Sequence, residues 1–238
     1  MAKQLIMQHT VKTRIKCEYK QLRLIKKVKP HFYMWSKMSS LLECRMSWKW
    51  RNGMGKLILV TGGARSGKSS FAEETVRSFG DKVLYIATAI AFDDEMKERI
   101  RRHRLQRPAN WETLEAFRDF DRLLPGMLKG RDAVLLDCVT VMVSNIMLQK
   151  AMDWEKLSVE EVNDVEREVT GQVGTLLAII KDADIPFILV TNELGMGVVP
   201  PYALGRAVRD IAGRVNQQLA RVADEVYLCV SGIPVKIK

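Results

Sequence analysis

The octapeptide Gly62-Gly63-Ala64-Arg65-Ser66-Gly67-Lys68-Ser69 has the spacing G-x-x-x-x-G-K-[ST]. Glycines in that pattern let successive backbone N–H groups turn inward on phosphate oxygens, and a helix that starts at the loop adds its partial positive charge. Lys68 is placed to reach the β- and γ-phosphates of a nucleoside triphosphate, and the Ser69 hydroxyl to ligate Mg²⁺. An apolar run over 57–60 precedes the loop and a helical pattern over 70–79 follows it, with Gly80 expected as the helix C-cap. Strand, loop and helix stand in the required order. Nucleotide binding is therefore the first expectation, although the loop alone names no reaction.

Two acids and one histidine compete for the remaining chemistry. Asp137 ends the run Val134-Leu135-Leu136 and is a candidate second group beside Mg²⁺ with Ser69; read structurally, it would instead cap the helix that starts at Val139. Glu193 follows Ile188-Leu189-Val190-Thr191 and is a rival, in a Gly195-Met196-Gly197 loop pliable enough to close over a substrate or simply to turn the chain. His9 and His31 lie in the first quarter of the chain, which leaves His103 alone in the rest. It stands among Arg99, Arg101, Arg102, Arg104 and Arg107. Asp93 is the expected N-cap of its helix and Pro108 the stop. Spacings of four put Arg99, His103 and Arg107 on one face while the helix lasts. Neighbouring cations disfavour the imidazolium, leaving a neutral ring able to act as a nucleophile, and the same arginines would neutralise a triphosphate. The alternative from spacing alone is a solvated basic helix with an incidental histidine.

These residues need a scaffold. Apolar runs at 83–87, 133–137, 187–191 and 225–230 alternate with helical patterns at 93–104, 139–148, 159–181 and 203–223. That alternation predicts an α/β fold: a P-loop NTPase-like, mostly parallel sheet with helices on both faces. Ser231-Gly232-Ile233-Pro234 predicts a C-terminal β-hairpin with Pro234 on an edge. Ligands of such sheets sit beyond the carboxyl ends of the strands, where Thr88, Asp137 and Asn192-Glu193 fall.

Composition bounds the rest. The chain has 238 residues, 47% hydrophobic and 28% charged, enough for a sizeable core and too apolar for wholesale disorder. No unbroken apolar stretch suggests a membrane span or an export signal, and the chain reads as cytoplasmic. Cys17, Cys44, Cys138 and Cys229 form no C-x-x-C pair, against a zinc ribbon or a disulfide framework. The net charge of +10 is unevenly placed: residues 1–53 hold 13 Lys and Arg against Glu18 and Glu43, and the remainder is close to neutral. The leader 1–53 reads as an anionic-surface or nucleic-acid arm, a transit-like segment, or a non-globular or artefactual extension, the last being preferred. Met54 is a natural start for a single domain over 54–238.

Taken in order, the blocks 57–69, Tyr85-Ile86-Ala87-Thr88, Asp93-Asp94-Glu95-Met96 with His103-Arg104, and Arg107-Pro108 with Trp111 form one pattern with Thr191-Asn192-Glu193, Gly195-Met196-Gly197 and 209–217. The pattern resembles the bifunctional adenosylcobinamide kinase and adenosylcobinamide-phosphate guanylyltransferase family of cobalamin assembly over essentially all of 56–238. The resemblance implies phosphorylation of adenosylcobinamide by ATP or GTP. It then implies attack of His103 on the α-phosphorus of GTP and transfer of GMP to adenosylcobinamide phosphate, giving adenosylcobinamide-GDP. It places nucleotide contacts on Gly62, Gly63, Ala64, Arg65, Ser66, Gly67, Lys68 and Ser69, on Ile86, Ala87 and Thr88, on Arg104, Leu105, Gln106 and Arg107, and on Glu115 and Asp137. It also implies a homotrimer. Glu115 has independent sense as a carboxylate able to accept both N–H groups of a guanine edge, or as an exposed acid at a strand end. Members often carry glutamate where Asp137 stands. Two other classes fit the loop: a kinase for another small alcohol, and a nucleotide-dependent nucleic-acid binder that uses the leader.

Overall fold

A computed structural model describes residues 55–91, 94–149 and 152–238. The readings of the leader, Met54 and the Asp93 cap lie outside the described residues. The chain runs β1 (Leu57–Gly62), α1 (Lys68–Arg77), β2 (Val83–Ala87), α2 (Asp94–Gln106), β3 (Glu112–Glu115), α3 (Phe120–Met127) and β4 (Ala133–Asp137). It continues with α4 (Val139–Leu148), α5 (Val159–Asp182), β5 (Phe187–Val190), a 3₁₀ turn (Leu194–Met196), α6 (Ala203–Val222), β6 (Glu225–Val230) and β7 (Ile233–Lys236).

The strands form one sheet in the order β3-β2-β4-β5-β1-β6-β7, parallel throughout except for the antiparallel β6–β7 hairpin. Every residue of β1, β2 and β5 is buried, as strands covered on both faces require. Alternation along each strand divides the core in two. Leu57, Leu59, Leu84, Leu136 and Leu189 pack with apolar residues of α3, α4, α5 and α6. Ile58, Val60, Tyr85, Leu135 and Val190 pack with Ala72 and Val76 of α1. The long α5 starts at a capping box between Ser158 and Glu161 and buries Val165, Val169, Val173, Leu176 and Ile180, one stripe at helical spacing.

The expected helix over 70–79 is displaced. It starts at Lys68 and closes at Ser78, so Gly80 is not its cap. Gly80 has φ of +148°, and a Cβ there would lie 2.3 Å from Oδ2 of Asp132. That carboxylate also accepts the Lys82 N–H at 2.9 Å, so close approach, not helix termination, explains this glycine. Pro234 stands in β7 opposite Cys229, on the sheet edge where its missing N–H removes no ladder bond.

The hairpin is tied to the start of β1. Glu225 accepts from Lys56 Nζ at 2.6 Å, Tyr227 Oη at 2.7 Å and Lys236 Nζ at 3.2 Å. Burial by itself would raise this carboxyl, but the bonds from Lys56 and Tyr227, with the Lys56 charge, hold it below its ordinary range. A depressed carboxyl contributes stability that is present above the unfolded value, about 4.3, and is lost as pH falls through the lower folded value. Glu225→Gln is expected to cost about 1–3 kcal/mol at neutral pH and to flatten the acid limb of a plot of melting temperature against pH. An unchanged acid limb would contradict the assignment.

Candidate active site

The turn out of β1 is shaped by contacts that only glycine tolerates. A Cβ on Gly62 would lie 2.4 Å from the Cys229 carbonyl oxygen, and one on Gly67, whose φ is +90°, would lie 2.9 Å from Gly232 Cα. The Gly232 N–H donates to the Ser66 carbonyl at 2.9 Å, so the loop is braced by the turn of the C-terminal hairpin. Lys68 is buried, and its Nζ donates to the Gly63 carbonyl at 2.6 Å, curling back across the loop. Ala64 and Arg65 are exposed at the loop's crest.

A cleft of about 610 Å³ opens beside the carboxyl end of β2, lined by Thr88, Lys97, Arg101, Arg104, Glu115 and Phe117 among others. A smaller cavity of about 80 Å³ shares Ala87, Ala89, Ile100, Arg104 and Glu115 with it and reaches Ser69, Tyr85, Asp137 and Arg107. One space therefore joins the end of the phosphate loop to α2. Position 103 lies in α2, seven residues beyond Met96 and three beyond Ile100, which places it on the helix face of those two cavity-lining residues. The side chains of Arg99, His103 and Gln106 lie outside the described residues. Arg104 forms an ion pair with Glu115 across the cleft.

Arg107 does not continue the face of Arg99 and His103 as expected, because α2 ends at Gln106: the residue before Pro108 is pushed out of helical conformation. Its guanidinium carbon instead sits 3.7 Å from the centre of the Tyr85 ring. Tyr85 stacks on Trp111 at 6.3 Å, and its hydroxyl donates to Oδ2 of Asp137 at 3.2 Å. Burial and then the Asp137 charge push the Tyr85 hydroxyl well up, so it stays a proton donor to that carboxylate. Glu73 is raised by burial, which outweighs the Arg77 charge, and Asp137 adds to the rise.

Asp137 thus bonds to Tyr85 and does not cap α4, whose N-cap is Cys138 without a side-chain bond. Asp137 and Ser69 face the same cavity, and no cluster of three or more His, Cys, Asp or Glu suited to a metal exists among the described residues. One hydroxyl and one carboxylate fit a divalent ion that takes its other ligands from phosphates and water. Ile86 is wholly buried in the core, and the Thr88 hydroxyl is consumed by Cys138, donating to its carbonyl at 2.8 Å and accepting from its N–H at 2.9 Å. Side-chain contact with a ligand is thereby closed to Ile86, whereas Thr88 lines the cleft with its hydroxyl already bonded. Leu105 is 71% exposed and lines neither cavity.

Two buried side-chain polar atoms lack a hydrogen-bond partner among the described residues: Ser66 Oγ in the loop and Arg107 Nε beyond α2. Unpaired buried groups are uncommon and call for an explanation such as a ligand. Arg107 lines the smaller cavity, and Ser66 stands in the loop three residues before Ser69, which lines it too.

Residues 58–237 match the family model for cobinamide kinase / cobinamide phosphate guanyltransferase. The chain belongs to this family. It is 49% identical to the bifunctional adenosylcobalamin biosynthesis protein CobU of Salmonella typhimurium strain LT2, over 76% of this chain and 99% of the relative. Identity is 46% to CobU of Escherichia coli K12 over the same shares, and 39% to CobP of Pseudomonas aeruginosa over 76% of this chain and 96% of that protein. Membership makes the chain an enzyme of a transferase family with a P-loop-like α/β fold. Among the described residues no helix is long and apolar enough to cross a membrane.

The family fold also brings together side chains that sequence reasoning left without roles. Asn216 of α6 accepts from Thr191 Oγ1 at 2.7 Å and donates to the Asn192 carbonyl at 2.9 Å and to Glu193 Oε1 at 3.2 Å. A buried polar residue within the stripe Ile211, Ala212, Val215 and Leu219 was the signal available for it. Asn216→Ala is expected to cost about 1–3 kcal/mol in chemical denaturation, because it removes three hydrogen bonds from a buried position and leaves the Asn192 carbonyl without its Asn216 donor. A change under about 0.5 kcal/mol would contradict that role.

Proposed function

We propose that the protein phosphorylates adenosylcobinamide with ATP or GTP and then moves GMP from GTP to adenosylcobinamide phosphate, giving adenosylcobinamide-GDP. The observation that carries the reading is one cavity lined by Ser69 of the glycine phosphate loop and by Arg104, Arg107, Glu115 and Asp137, in which Arg107 Nε is buried without a hydrogen-bond partner among the described residues. Loop amides and Lys68 bind and neutralise the outer phosphates. Arg104 and Arg107 lie near the inner phosphate, and Glu115 takes the guanine edge, releasing Arg104 from its ion pair. Ser69 and Asp137 would hold Mg²⁺, which supplies positive charge to the phosphate oxygens.

In the transfer reaction an imidazole nitrogen of His103 attacks the α-phosphorus, the α–β bridging P–O bond breaks, and pyrophosphate leaves. A phosphate oxygen of adenosylcobinamide phosphate then attacks the same phosphorus and the P–N bond breaks, restoring the imidazole. The reading extends to a catalytic unit over 54–238 with a dispensable leader, a cytoplasmic setting, a homotrimer, and no nucleic-acid partner.

Product analysis tests it. Adenosylcobinamide with ATP alone should give adenosylcobinamide phosphate, and addition of GTP should carry it to adenosylcobinamide-GDP. Residues 54–238 by themselves should do both. Absence of either product from the folded full chain would overturn the reading.

A further inference from the structure

Two blocks have no task in that scheme, 191–193 after β5 and 209–217 in α6, and they meet at the phosphate loop. β5 lies between β1, which leads into the loop, and β4, which ends in Asp137, so the residues leaving β5 emerge between the two. The Glu193 N–H donates to the Gly62 carbonyl at 3.1 Å, which fixes its backbone to the first residue of the loop. Its carboxylate is held by one oxygen only. Oε1 accepts from Thr61 Oγ1 at 2.9 Å and from Asn216 Nδ2 at 3.2 Å, while Oε2 has no partner among the described residues. Thr191, beside it, is locked by Thr140 Oγ1 at 3.1 Å and by Asn216. The carboxylate is therefore aimed by a buried polar network and half-buried itself, with one oxygen unengaged. The segment that follows is open to solvent at Met196 and Val198, 76% and 94% exposed.

Phosphorylation of an alcohol needs a base at the loop that is not already committed. Asp137 is engaged by Tyr85 and shares its cavity with Ser69. Glu73 lies 4.0 Å from the Arg77 guanidinium. We infer that Glu193 is the general base of the kinase half-reaction and that Asn216 and Thr61 are its positioning residues; the inference rests on the function proposed above. Glu193 Oε2 accepts the proton of the acceptor hydroxyl as its oxygen attacks the γ-phosphorus. The β–γ bridging P–O bond breaks, its electron pair leaves with the nucleoside diphosphate, and the proton passes from Glu193 to solvent.

The test is Glu193→Gln in the full chain, assayed against wild type for three quantities: phosphorylation of adenosylcobinamide, GMP transfer to supplied adenosylcobinamide phosphate, and affinity for GTP. Loss of a positioned base is expected to lower the phosphorylation kcat by about 10²–10⁴-fold, with the other two changed less than about threefold. Phosphorylation retained within about threefold, or all three falling together, overturns the inference. Should glutamine disturb the loop, Glu193→Asp keeps the charge and draws Oε2 back by one methylene. A kcat at least about tenfold lower at unchanged nucleotide KM then supports the assignment, and an unchanged kcat overturns it. A wild-type chain with no phosphorylation activity would sink the proposed function itself, an outcome separate from either variant result.

Discussion

Replacing His103 by asparagine is expected to stop GMP transfer while phosphorylation of adenosylcobinamide continues. A covalent nucleophile cannot be replaced in part: without the imidazole nitrogen there is no P–N intermediate, and removal of such groups elsewhere costs about 10⁴-fold or more in kcat. Position 103 is on α2, on the helix face of Met96 and Ile100, and lies outside the glycine loop proposed to hold the outer phosphates. Asparagine is a tolerable helix residue, so α2 and its Arg104–Glu115 ion pair should persist. Steady-state assays with ATP and adenosylcobinamide, and separately with GTP and adenosylcobinamide phosphate, measure the two halves. Equal loss of both would mean that His103 acts through the fold or through nucleotide binding in general.

The second large effect belongs to Lys68→Ala, which should depress both half-reactions by about 10²–10³-fold or more, as removal of one preorganised charge from a developing phosphate oxyanion does. The side chain is buried in the loop, where it donates to Gly63, and it packs in neither apolar core. Truncation therefore opens no core cavity, and the melting temperature should move by only a few degrees. The contrast with His103→Asn is informative, since on the proposed function one change removes a charge used twice and the other a nucleophile used once. A Lys68→Ala protein that unfolds, or that keeps full phosphorylation, would contradict the placement of the lysine.

Much of this arrangement is legible in residue order. Apolar runs bounded by turn residues mark β2, β4 and β6 to the residue, and burial of β2 and β4 on both faces leaves little ambiguity there. The glycine loop is read with equal clarity, since Gly62 and Gly67 occupy positions a side chain cannot. The edges are not. β3, Glu112–Glu115, is exposed at nearly every position and has no apolar alternation to announce it. Helix α3 is short and carries Pro125, which breaks the local signal. The polar site is legible only in part, because side-chain partners depend on tertiary contact. Asp137 reads equally well as a cap or a ligand until Tyr85 is seen to hold it. Nothing local places Asn216 against Glu193, 23 residues earlier in the chain. Ile86 and Thr88 stand in a stretch that the family resemblance marks for the nucleotide, yet their side chains belong to the core and to Cys138.

The most direct test of the account is transfer of label from GTP to the protein chain. Wild-type protein incubated with α-labelled GTP should retain acid-labile, base-stable label after denaturation, γ-labelled GTP should leave none, and His103→Asn should take up none from either. Absence of α-label on the folded wild-type chain, or equal labelling of His103→Asn, would contradict the guanylyl-histidine intermediate.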